Sequence, residues 1–252
     1  MKRILLALLI LTVSFTASAA VNDIRVSGSI GTHAITRDLS MGGETLTDRE
    51  SMIVNVMRLR FDADLTEDVA AVIGFSNERL WGEEVTTPGA ANGNTTDTFL
   101  EYSYMTMNNF LGSPITLTLG RTPGLVLGRG LIMGAAGDGY APTNSPLQNV
   151  ADDLACKCGI DGAIARVDLD PMLIDVFYLK TEEKDVNEDD DVNVYGVNAG
   201  YAIGEGSVVE AYVVGKNNTS GAATGEDDDY VNTFGLRSNV AVGESFDLFA
   251  EA

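Results

Sequence analysis

The chain has 252 residues, 37 of them acidic and 16 basic, for a formal net charge of −21. That balance excludes a nucleic-acid partner, since a binder of phosphate backbones needs a surplus of Lys and Arg. A lone histidine, His33, leaves no multi-histidine zinc site and a poor inventory for catalysis, so the chain reads as a non-enzyme without a cofactor.

Lys2 and Arg3 precede an apolar run, Ile4–Phe15, and Ala17-Ser18-Ala19 supplies an A-x-A cleavage site. This is the form of a secretory signal peptide, which assigns 1–20 to export and 21–252 to the mature fold. The apolar run is shorter than the about 20 residues a spanning helix needs, and no later segment is apolar enough for one. Any membrane crossing must therefore use strands.

Strands announce themselves by a period of two. Ile24, Val26, Gly28 and Ile30 alternate with Arg25, Ser27 and Ser29, so Asp23–Thr36 reads as the first. Met52–Leu65 is the second and the clearest. Met57, Leu59, Phe61, Ala63 and Leu65 share one parity, and Val56, Arg58, Arg60, Asp62 and Asp64 share the other. Thr66–Asp68 turns the chain, and Val69–Arg79 restarts an apolar face. Thr98–Asn108, Ile115–Arg121, Leu154–Leu169, Leu173–Glu182, Val192–Ile203, Ser207–Lys216 and Tyr230–Ala241 follow, and Ser245–Ala252 begins one more. In Val192–Ile203, Tyr195, Val197, Ala199 and Tyr201 oppose Gly196, Asn198 and Gly200. In Tyr230–Ala241, Phe234 and Leu236 oppose Thr233, Arg237 and Asn239. The second face reads as polar or small, as a wet lumen requires.

Connections of about three to five residues alternate with connections of about ten to thirty, which is the layout of an outer-membrane barrel. The expected fold is all-β: an antiparallel up-and-down transmembrane β-barrel, with about 10–11 strands of a larger barrel present. Bacterial barrels have an even strand number and must close, and the last strand ends in mid-alternation, so the sequence is expected to be the N-terminal part of a longer barrel. Tyr102, Tyr104, Tyr178, Tyr195, Tyr201 and Trp81 are candidates for interfacial girdles or for ordinary strand packing. The longest irregular stretch, Thr122–Asp152, is read either as a loop folded into the lumen, with Arg129 as its charged reach, or as an external loop.

Phe99–Arg121 carries F-L-E-Y-S-Y-M-T-M-N-N-F-L-G-S-P-I-T-L-T-L-G-R, and Val192–Tyr201 carries V-N-V-Y-G-V-N-A-G-Y. With Glu210-Ala211-Tyr212 and Thr233-Phe234-Gly235-Leu236-Arg237, these stretches resemble the alginate export porin family. The resemblance runs from about Arg58 to the end. It implies a wide outer-membrane channel for passive passage of carboxylated saccharides or polysaccharide through an arginine-bearing lumen. The outer-membrane lipid and a small anionic saccharide or polysaccharide are then the expected partners. Pore-lining candidates by parity are Arg58, Arg60, Asp62, Asp64, Arg166, Glu210 and Arg237. Their arginines either bridge to neighbouring carboxylates and hold the wall, or guide anions, and both roles are open. Strict alternation puts Arg121 with Ile115, Leu117 and Leu119, so it lies at the outer interface or follows a kink at Gly120. The alternatives are a general or cation-preferring porin and, from another class, a secreted β-rich adhesin without a channel.

The acidic runs read as solvated loops. Asp189, Asp190, Asp227 and Asp228 are weak metal candidates, because neither run has EF-hand spacing. Cys156 and Cys158 point the same way in an extended strand, about 6.5–7 Å apart, too far for a relaxed disulfide without a local bend. Export favours their oxidation, and pairing and free thiols remain equal readings.

Overall fold

The computed structural model describes residues 23–38, 49–82, 98–125, 159–182, 191–219, 229–243 and 246–252. The signal-peptide assignment, Arg129, Cys156, Cys158, Asp189, Asp190, Asp227 and Asp228 lie outside them.

The fold is all-β. Strands β1 (Asp23–Asp38), β2 (Arg49–Asp64), β3 (Val69–Leu80), β4 (Thr98–Met107), β5 (Ile115–Thr122) and β6 (Ile160–Asp168) are followed by β7 (Met172–Glu182), β8 (Val192–Gly204), β9 (Ser207–Asn218), β10 (Asp229–Val242) and β11 (Phe246–Glu251). They form one 11-stranded sheet in sequence order, and each pair of neighbours is antiparallel. It is an up-and-down wall of the barrel kind, open between β1 and β11 among the described residues. Val, Ile, Thr, Tyr and Phe recur along it because β-branched and aromatic side chains suit a pleated surface.

Register defines two faces, since cross-strand partners share a side. Arg60 lies opposite Ser27 and Gly74, and Phe61 lies opposite Val26 and Ile73. The first set belongs to a face on which large side chains are buried, such as Phe177 and Tyr212. The second belongs to a face on which they are exposed, as Leu59, Val197, Phe234 and Leu248 are. We call these the inner and outer faces. On the outer face Phe61 and Phe75 meet edge to face, with centroids 6.4 Å apart. Outer side chains from Asn193 to Ile203 span about ten steps of about 3.3 Å, which at a tilt of about 40° is about 25 Å of height.

The short connections gather at one end. Leu65 N–H donates to the Val69 carbonyl at 2.8 Å in the β2–β3 turn. The β4–β5 turn holds a 3-10 piece, Phe110–Gly112, and Asn109 Nδ2 donates to Asp68 Oδ1 at 2.7 Å, tying two neighbouring turns together. The β8–β9 and β10–β11 turns place Gly206 and Gly243 at φ of 69° and 67°, a region that favours glycine.

At the other end β1 and β2 run beyond the expected limits, to Asp38 and from Arg49. Polarity inverts there. Thr32 Oγ1 donates to Asn55 Oδ1 at 2.9 Å on the outer face, whereas Val54 and Val56 are buried on the inner face with Ile35 and Met52 against them. The hairpin is longer than its alternating segment because both polarities satisfy a strand, and only the side they point to changes.

Candidate functional site: the inner wall

The inner face carries ion pairs. Arg60 donates through Nε and Nη2 to Asp62, the latter at 2.7 Å, and Nη2 reaches the Tyr104 hydroxyl at 3.4 Å. Arg25 approaches Asp64 at 3.5 Å, and Arg58 approaches Glu101 at 3.5 Å. Glu101 reaches that face because the β3–β4 register shifts between Gly74 and Phe75, which leaves it an extra residue in β4.

Strands β6 to β11 carry a continuous polar ladder. Arg166 Nε and Nη2 donate to the two Asp175 oxygens at 2.7 and 3.2 Å. Asp175 faces Asn198 across the β7–β8 pair, and Asn198 Nδ2 donates to Glu210 Oε1 at 3.4 Å. Arg237 Nε donates to Glu210 Oε2 at 2.7 Å, and its Nη2 donates to the same oxygen. Tyr212 leans across Gly235, where any Cβ would collide with its ring, and donates to Glu251 at 2.8 Å.

In each inner pair of the described residues the arginine side chain is the more exposed partner. Arg166 is 48% exposed and Asp175 5%; Arg58 is 28% and Glu101 3%. Arg25–Asp64, Arg60–Asp62 and Arg237–Glu210 keep the same order. The reason is reach: a short carboxylate stays at the wall while the longer arginine carries its charge outward along an apolar stem. Each arginine thus offers more of its side chain to the space before the wall than its carboxylate partner does. The face as a whole is not positive, however. By register Asp23, Asp168 and Asp247 add carboxylates to it, as does Glu251, and Lys216 adds one cation.

The pore-lining candidates Arg58, Arg60, Asp62, Asp64, Arg166, Glu210 and Arg237 therefore share one face, and the arginines are bridged. Glu101, Asp175, Asn198, Tyr212 and Glu251 join them and were not singled out for that role by the sequence. Arg121 lies on the outer face beside Leu119, and its Nη1 donates to Asp161 at 2.9 Å across the strand pair. Gly120 before it has φ of 116°, but the register continues through both residues.

Two expectations need correction. Tyr102 and Tyr104 are inner-face residues, opposite Gly74 and Val72, so they are not girdle aromatics; Tyr178, Tyr195, Tyr201 and Trp81 are exposed, the three tyrosines by register on the outer face. The inner face is also not uniformly polar or small. Ile164, Phe177, Leu179, Tyr212 and Val214 form a buried cluster there, with Leu125, Ile160 and Val194 against it. Strand β7 carried the signal, since Leu173, Phe177 and Leu179 alternate with Ile174, Val176 and Tyr178, and apolar residues on the inner side as well gain by being taken out of water.

The cover comes in part from the residues after β5. Thr122 is buried, its Oγ1 accepts from Gly124 N–H at 3.4 Å, and Leu125 packs onto the inner cluster. The root of the long connection thus turns back over the inner wall. Two cavities flank it. One, of about 270 Å³, is lined by Tyr104, Thr106, Thr116, Thr118, Thr122, Gly124, Leu125, Ile164 and Arg166. The other, of about 260 Å³, is lined by Leu125, Arg166, Leu173, Asp175, Asn198 and Glu210 among others. A third, of about 740 Å³, lies at the tips of β1 and β2 beside Trp81. His33 faces inward opposite Val54.

No protein-family model matches the chain, and no curated protein matches it. Among solved structures, a triple mutant of the Rhodopseudomonas blastica porin aligns over 91% of this chain and 93% of that chain, at 10% identity and a TM-score of 0.33. That likeness is too distant to bear on what this chain does.

Proposed function

We propose that the sheet is a wall of an outer-membrane channel through which polar solutes pass down their gradient, anions first. One observation carries the reading: a single sheet with an exposed apolar face and, on its other side, bridged arginines that are more exposed than the carboxylates they pair with. Lipid suits the first face, because its apolar side chains are at home in hydrocarbon and the backbone of strands β2 to β10 is paired on both sides. The Thr32–Asn55 row, where polarity inverts, marks the level at which the outer face meets water again. A hydrated passage suits the second face. Guanidinium tips lower the cost of entry for carboxylates and phosphates, and the bridges keep the tips in place. Carboxylated saccharides, or a polysaccharide of them, are the solutes that the motif resemblance suggests.

A second reading, a general or cation-preferring channel, is favoured by the surplus of inner carboxylates such as Asp23, Asp168 and Asp247. Planar-bilayer conductance in a gradient of 1 M against 0.1 M KCl separates the two. Ion conductance with an anion-signed reversal potential is expected. A cation-signed potential replaces the first reading by the second, and no conductance at all by the natural full-length protein removes both.

A further inference from the structure

We propose that the inner wall around Arg166 is a saccharide subsite that holds two neighbouring rings through their hydroxyls, with no net charge required of them. This rests on the reading that the inner face borders a passage, and adds to it a place where solute pauses.

The two cavities beside the loop root share Arg166 and Leu125, so they adjoin along one rim. At about 270 and about 260 Å³, each lies just below the range of about 300–1,000 Å³ for drug-sized ligands, and so takes one small unit. The first is walled by hydroxyls. Thr106 and Thr118 share a hydrogen bond of 3.4 Å, and Tyr104 accepts one from Arg60. A hydroxyl both donates and accepts, as a sugar hydroxyl does, and so imposes no charge on its partner.

The second cavity pairs an apolar floor, Leu173 and Val208, with the polar ladder. Arg166 neutralises Asp175 there, and Arg237 neutralises Glu210. What the cavity lacks is a donor for Asn198. That side chain is 5% exposed, its Oδ1 is buried without a partner, and it lines the cavity. Arg166 uses Nε and Nη2 on Asp175, which leaves Nη1 as a donor at the rim. A ring hydroxyl that donates to Asn198 Oδ1 and accepts from Arg166 Nη1 satisfies both, while its C–H face lies on the apolar floor.

The test uses the natural full-length protein in planar bilayers at 1 M KCl, with the neutral trisaccharide maltotriose added to one side. Block is read as a fraction of each variant's own open conductance. A saturating block is expected, with the half-blocking concentration raised tenfold or more in Asn198→Leu. Because Asn198 is buried, Thr118→Val in the other cavity is measured as well, and a rise of threefold or more is expected. A chain that conducts no ions sinks the channel reading itself. A chain that conducts, but is blocked without saturation or equally in wild type and both variants, overturns the subsite alone; that is the outcome if an ordered water already satisfies Asn198.

Discussion

At the scale of the residue, the partners in an ion pair do not lose equally when one is removed. Asp175 is almost fully buried and Arg166 is half exposed. Arg166→Ala therefore leaves a carboxylate stranded at the wall, whereas Asp175→Ala leaves a guanidinium that water can reach. Breaking a buried pair costs about 3–5 kcal/mol when the remaining charge stays buried, and exposed pairs contribute about 0–1 kcal/mol. Urea unfolding in lipid vesicles should show Arg166→Ala destabilised by about 3 kcal/mol and Asp175→Ala by about 1 kcal/mol. Equal losses would mean that the exposure order of the pair has no energetic consequence. Gly235 offers a second residue-scale prediction. Tyr212 lies on it to reach Glu251, so Gly235→Ala must push the ring away and break that hydrogen bond. A loss of about 1–3 kcal/mol is expected in the same assay, as for other overpacked sites. Gly204→Ala is the control, since nothing lies within 4 Å of its added Cβ.

At the scale of the element, β2 states the whole fold. Its outer residue Leu59 is exposed and Phe61, on the same side, packs edge to face on Phe75, while its inner residues Arg58 and Arg60 are bridged. Arginine on a lipid face costs about 2–4 kcal/mol at mid-depth and about 0–1 kcal/mol near an interface. Phe61→Arg should thus lower folding into vesicles by at least about 2 kcal/mol, while Asn55→Arg, on the same face at the polarity inversion, should change it by less than about 1 kcal/mol. If both substitutions were harmless, the outer face would not meet lipid. This element was legible in the sequence because period-two alternation is local and survives any tertiary arrangement. Strand existence and the side of Arg58, Arg60, Arg166 and Arg237 were legible for the same reason. The side of Tyr102 was not, because a bulge at Glu101 resets parity and no composition marks it. The covered patch around Phe177 and Leu179 was legible only in part: β7 is apolar on both sides, but its cover, Leu125, arrives from a connection with no period of its own.

At the scale of the molecule, two electrostatic lengths compete. The chain carries a net −21, and among the described residues the inner face has more carboxylates than cations. Seen from a distance, such a wall attracts cations. Seen at contact it offers guanidiniums, because in each bridge the carboxylate lies deeper than its partner. Salt selects which view a permeating ion has. The screening length is about 30 Å at 0.01 M and about 3 Å at 1 M. In dilute salt, the summed negative field reaches across the passage and should favour cations. In concentrated salt only contact-range groups act, and the tips of Arg58, Arg60 and Arg166 should favour anions. The anion-to-cation permeability ratio, measured from reversal potentials at a fixed gradient, is therefore expected to rise with mean salt concentration. An ordinary fixed-charge wall behaves otherwise, since its preference only fades toward unity. A ratio that falls with salt would place the guanidiniums out of the ions' path, and the bridges would then be structural alone. Charge removal separates the terms further. Arg58→Gln with Arg60→Gln should weaken the anion preference at 1 M KCl and leave the dilute-salt preference for cations in place or strengthened.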